Sequence, residues 1–166
     1  MKRDCYIGFY DISTQQSFWG KLIKWVTKSE ITHVAPIIKV KTGYITIVLI
    51  SGGQPKICDI KAFEKLDIKL IDSCYVGAID TNLAGIFKDC YKYKLPSPLT
   101  VILWYFVVRW FTKWYPRTCT GYVCDLFRLP FTDVPTRVIP AVLYRRLKHD
   151  CNYVRWQSPS WKNNGC

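Results

Sequence analysis

Two apolar runs rich in β-branched residues, Thr32 to Lys41 and Tyr44 to Ile50, are separated only by Thr42 and Gly43. Such runs joined by a glycine-containing turn read as an antiparallel hairpin. A hairpin alone is not stable in water, so further strands or covering helices must complete it. Tyr6 to Tyr10 reads as one more strand, and Ile57 to Ile60, Asp67 to Ile71 and Cys74 to Ile79 as three short ones. Pro36 removes a backbone donor inside the first run of the hairpin, which argues for an edge position or a bulge there.

Helical spacing governs other segments. Phe18, Leu22, Trp25 and Val26 fall at i, i+4, i+7 and i+8 behind a Ser17 cap. Leu83, Ile86, Phe87 and Cys90 follow a cap at Asp80 or Thr81, and a last helix starts near Pro140 and carries Val142, Leu143 and Leu147. The fold class is therefore α+β, a small antiparallel sheet packed against helices. With 166 residues, no repeat and no linker, residues 1–156 read as one domain and 157–166 as a polar C-terminal tail.

Apolar residues make up 49% of the chain and charged residues 22%, a globular composition that excludes a disordered chain. The net charge of +12 attracts polyanions, whether acidic wall polymers, an anionic membrane surface or nucleic acid. No base-reading motif accompanies the charge, so nucleic acid is not the expected partner. The ten residues from Leu99 to Val108 are too few to span a bilayer, which takes about 20. They read as a buried helix behind Pro96 and Pro98, with a peripheral membrane contact through Trp104, Trp110 and Trp114 as the alternative.

None of the eight cysteines forms a Cys-x-x-Cys pair, and Met1 to Gly8 lacks the apolar stretch of a secretory signal. The expectation is a protein made in a reducing cytosol with free thiols. His149 and Cys151 are two candidate ligands, too few for a metal site, and neither metal nor cofactor is expected.

The chain has only two histidines, which narrows the search for a general base. His149 sits beside Lys148 and Asp150 late on a helix, where it is solvated or complements the helix dipole. His33 stands at the mouth of an apolar strand, as a base or as a core histidine with its hydrogen bonds satisfied. Cys119 is followed by Tyr122, Val123, Leu126 and Phe127 at i+3, i+4, i+7 and i+8, so it opens a helix with a buried stripe. At that end the helix dipole favours thiolate, and unpaired amides can hold an oxyanion. Thr120 and Gly121 are small and leave room for a substrate at the sulfur. The bland alternative makes Cys119 an inert cap residue, while Cys124, turned well round the helix, is an apolar filler.

The segment Cys119-Thr120-Gly121-Tyr122-Val123 resembles the nucleophile signature of the NlpC-type cysteine hydrolases. Here the histidine precedes the cysteine. The stretch from Leu22 to Ala35, with Thr32-His33-Val34, the opening Tyr6 to Tyr10, and Ile139 to Tyr144 near the end resemble the circularly permuted branch of that papain-like family. The resemblance implies a permuted papain-like fold, with Cys119 as nucleophile and His33 as base. It implies thiol hydrolysis of amides through a thioester, with peptidoglycan peptides as one substrate class. Lipid-directed acyl transfer or ester hydrolysis, or a virion interaction protein that keeps the fold without strong activity, are the alternatives. A phage or bacterial protein, made in the bacterial cytoplasm and packaged in a phage particle, fits the implied family. The strand after His33 contains no acid where the family has a polar orienting group, which leaves Thr46 and Ser51 as the only side chains to orient the imidazole. Tyr10, and Gln15 or Gln16, are candidate oxyanion donors.

Overall fold

The structure is a computed structural model that describes residues 2–12, 21, 24–25, 27–49, 55–64, 68–80, 82–92, 97, 99–100, 103–104, 118–133, 136–137, 139–149 and 155–156. It is a mixed α+β fold. The strands are β1 (Lys2–Asp11), β2 (His33–Val40), β3 (Gly43–Val48), β4 (Lys56–Asp59), β5 (Lys69–Asp80) and β6 (Arg155–Trp156). The helices are α1 (Ile60–Glu64), α2 (Leu83–Lys92), α3 (Cys119–Leu126) and α4 (Pro140–His149). The strands form one antiparallel sheet in the order β4-β3-β2-β1-β5-β6.

The hairpin is β2–β3, and Gly43 closes it at a φ of 142°, a backbone conformation that a side chain disfavours. Neither strand of it lies at an edge. β2 sits between β3 and β1, so Pro36 occupies an interior strand. The proline is tolerated because the β2–β3 ladder begins only at Ile37 opposite Thr46, leaving the first half of β2 unpaired on that side. The Thr46 hydroxyl reaches across instead and donates to the Pro36 carbonyl at 3.1 Å.

β1 is buried on both faces, which is why it reads as a nearly unbroken apolar run. Cys5, Ile7 and Phe9 face one core with Val34, Ile38 and Ile47 of the sheet, Val123 of α3, and Leu143 and Leu147 of α4. Tyr6 and Tyr10 face a second core with Ala35, Ile37, Tyr44, Val48, Ile60 and Ile68. Leu143 and Leu147 have no exposed surface and anchor α4, each contributing roughly 1.5–3 kcal/mol by burial.

The two strands expected at Asp67 to Ile71 and Cys74 to Ile79 are one twelve-residue strand. The polar Asp72 and Ser73 pair in regular register with Phe9 and Gly8, and the register shifts against β1 lie on either side of them, between Cys5 and Tyr6 and between Phe9 and Tyr10. Asn82, not Asp80 or Thr81, caps α2, its side-chain oxygen accepting from the Gly85 amide at 3.3 Å. Trp25 is 74% exposed rather than part of a buried stripe, while Phe18, Leu22, Val26 and the Ser17 cap lie outside the described residues. Leu99 and Leu103, one helical turn apart, are half exposed, whereas Trp104 is buried. The rest of the segment expected as a buried helix, and the tail from 157 to 166, lie outside the described residues. Among those residues no helix is long and apolar enough to cross a membrane.

Candidate active site

Thr118 starts α3. Its backbone is extended (φ −128°, ψ 169°), and its side-chain oxygen accepts from the Gly121 amide at 3.2 Å, the arrangement of an N-cap. The same hydroxyl donates to the Arg137 carbonyl at 2.8 Å. The other end of the helix turns back through Arg128, in the left-handed region at φ 51°, and the Leu129 amide donates to the Cys124 carbonyl. Leu129 and Phe131 then enter the core. This short helix is thereby fixed at both ends, and it packs against β2.

Cys119 is the first residue of α3 and is 9% exposed. Burial by itself pushes its thiol up. The charge of the His33 imidazole, a hydrogen bond with that ring, the Val34 amide and the Thr120 hydroxyl outweigh burial and hold the thiol below its ordinary range. The Thr120 oxygen stands 4.0 Å from the sulfur. Four other thiols go the opposite way. Burial pushes Cys5 and Cys90 up to about 11, and Cys74 and Cys124 up to about 12. Cys124 is 1% exposed and acts as core filler, as its place on the helix predicts.

His33 is the first residue of β2, directly across from Tyr10 of β1, and is 5% exposed. Its position is pinned by the preceding residue. The Thr32 amide donates to the Tyr10 carbonyl at 3.0 Å, and the Thr32 hydroxyl accepts from the Ile12 amide at 3.0 Å. The Tyr10 ring flanks the imidazole at 6.4 Å between centroids. Among the described residues, Nε2 of His33 has no hydrogen-bond partner. His149, by contrast, ends α4 beside Arg146 and Lys148, where cations suit the helix dipole.

Several expected roles are filled differently. Thr46 does not orient the imidazole, because its hydroxyl is engaged by the Pro36 carbonyl and nothing described bonds Nε2. Ser51 lies outside the described residues, as do Gln15 and Gln16. Tyr10 does not offer its hydroxyl at the sulfur. Its ring folds back along β1 over Gly8, where an added Cβ would stand 2.6 Å from the Tyr10 oxygen, on the face of β1 away from the core that holds Cys119. Gly121 is buried and its amide is held by Thr118, so it offers neither room nor a donor to a substrate. Thr120 is fully buried and lies beside the sulfur rather than opening a path to it.

The sequence reading missed the Val34 amide, which no side-chain pattern betrays, and Asp11. By strand alternation Asp11 points to the same face as Ile7 and Phe9, the face that carries α3. It is 6% exposed, and Lys24 Nζ reaches it at 2.9 Å. Among the described residues no three His, Cys, Asp or Glu side chains stand close enough to hold a metal ion. Comparison with known proteins returns no matching family model, no matching curated protein and no matching solved structure.

Proposed function

We propose that the protein is a thiol hydrolase in which Cys119 is the nucleophile and His33 the general base and acid. One observation carries the reading. Cys119 is the thiol held low beside a histidine at a helix N-terminus, while the other shifted thiols among the described residues are all raised. The chemistry follows from that pair. His33 takes the thiol proton, and Sγ attacks the carbonyl carbon of an amide. Thr118 holds the amides of Gly121 and Tyr122, and the amide of Cys119, at the very start of α3, is assigned to donate to the developing oxyanion. The imidazolium then gives its proton to the departing amine, the C–N bond breaks, and an acyl thioester forms. His33 next takes a proton from water as it attacks the thioester, which releases the acid and returns the thiolate.

The order of the chain, with the histidine strand before the nucleophile helix, supports a circularly permuted papain-like arrangement of these parts. Peptides of peptidoglycan are the substrate class that suits a chain of net charge +12, because the bacterial wall is anionic. Delivery in a phage particle fits such a substrate. Hydrolysis of muropeptides by the purified protein, abolished by Cys119→Ser and by His33→Ala, is the expected result. Wild-type protein inert on walls and on isolated muropeptides contradicts it.

A second reading has its own observation. Nε2 of His33 meets no orienting group among the described residues, and a histidine without one is a weak base. This favours a binding protein, for instance in a virion, that keeps the pair with little turnover. An unchanged rate of hydrolysis upon Cys119→Ser is its mark.

A further inference from the structure

We infer that Arg137 is the positioning residue of the nucleophile helix, gripping α3 at both ends at once. Its carbonyl accepts from the Thr118 hydroxyl at the N-cap, 2.8 Å away. Its guanidinium pairs with the Asp125 carboxylate in the last turn and donates to the Phe131 carbonyl at 3.4 Å. An eight-residue helix is about 12 Å long, so one residue spans the whole element.

The grip has its own support. Asp133 accepts from the Thr136 amide at 3.2 Å and from its hydroxyl at 2.5 Å, which shapes the turn that delivers Arg137. Arg146 of α4 reaches Asp133 at 3.8 Å, and Thr136 is fully buried. The Arg137 side chain is 16% exposed, so its pairing with Asp125 is shielded on one side from water and salt.

Two consequences reach the sulfur. The interactions of Cys119 with the Val34 amide and the His33 ring cross from α3 to β2 and are short-ranged, so a small displacement of the helix N-terminus weakens both together. Asp125 also opposes the helix dipole, since it places a negative charge near the negative end, and Arg137 neutralises it. Arg137 touches no reacting atom and acts only through the helix.

This inference rests on the reading of Cys119 as a reactive thiolate, and the test separates the two. Iodoacetamide alkylation of Cys119 is followed by mass spectrometry across pH in wild type, Arg137→Ala and Asp125→Asn. The Asp125 side chain is 54% exposed, so its substitution leaves the core intact. Loss of the grip moves the alkylation midpoint upward in both variants and slows the reaction at about pH 6 by about tenfold, one pKa unit. Charge alone predicts opposite signs, because removing Asp125 leaves an unbalanced guanidinium that lowers the midpoint. A midpoint in Asp125→Asn at or below that of wild type overturns the inference while the reactive thiolate stands. A wild-type Cys119 that reacts like an ordinary thiol overturns both.

Discussion

The Val34 amide favours the thiolate of Cys119 from the stretch of β2 that β3 leaves unpaired. β3 pairs with β2 only from Ile37 onward, and Thr46 serves the Pro36 carbonyl with its side chain. The gap in the ladder lets the start of α3 pack against β2 beside His33. Proline and nucleophile are in this way parts of one local arrangement.

Thr46 is then a structural residue, and its removal separates the two roles assigned to it. Thr46→Val keeps the shape and leaves the fully buried Pro36–Thr46 contact without its donor. The expected loss is about 1–2 kcal/mol, measured by urea unfolding. The pH profile of Cys119 alkylation is expected to stay that of wild type. A raised midpoint in this variant shows that the hydroxyl does act on the imidazole.

Gly8 makes room for the ring that flanks His33. In Gly8→Ala the new Cβ stands 2.6 Å from the Tyr10 oxygen and 2.7 Å from Ile37 Cδ1, closer than packed atoms tolerate. The ring must move, at a cost of about 1–3 kcal/mol for overpacking. Its displacement disturbs the imidazole it lies against, so slower Cys119 alkylation is expected together with a lower Tm. A variant as stable as wild type contradicts the packing described for Tyr10.

The buried thiols set the alkaline limit of the fold. Cys5, Cys74, Cys90 and Cys124 are all raised from an ordinary value of 9.0, to about 11, 12, 11 and 12. Unfolded, they lose their protons first, so the unfolded state binds fewer protons above about pH 9 and stability falls as pH rises through the folded values. Each thiol contributes a slope of up to about 1.4 kcal/mol per pH unit in that window. Cys119 has the opposite sign, since its lowered value adds stability as pH rises toward 9 and none beyond. Thermal melts are expected to drop steeply above about pH 9, less so in Cys74→Ala than in wild type. A flat profile there contradicts the burial of these groups.

Arg128 holds a left-handed conformation, φ 51°, at the end of α3. A non-glycine residue there carries about 1–2 kcal/mol of strain. Arg128→Gly is expected to stabilise the protein by about 0.5–1 kcal/mol after the greater freedom of glycine in the unfolded chain is offset. A destabilised variant assigns the Arg128 side chain a contact that outweighs the strain.

The α+β class, the β2–β3 hairpin and the helices opening at Cys119 and near Pro140 were legible because each rests on local periodicity. Cys119 and His33 were legible as candidates because few residues of their type stand at a helix start or a strand mouth. Their meeting was not legible, since it depends on α3 packing against β2 across some 85 residues of chain. Strand continuity through Asp72 and Ser73 was hidden because polar side chains break an apolar pattern, although their backbones pair in regular register with Phe9 and Gly8. Pro36 misled for a related reason. A proline reports a missing donor, and an interior strand can lack a neighbour over half its length. The roles of Val34, Thr46 and Arg137 are carried by backbone groups and long-range pairs, to which side-chain patterning is blind.

The central claim is the coupling of Cys119 to His33, and alkylation of each cysteine across pH in wild type and His33→Ala tests it most directly. The account predicts that Cys119, though 9% exposed, reacts fastest of the cysteines at about pH 6, and that His33→Ala moves its midpoint up by at least about one unit. Cys119 reacting no faster than the half-buried Cys58, with the same profile in both proteins, contradicts it.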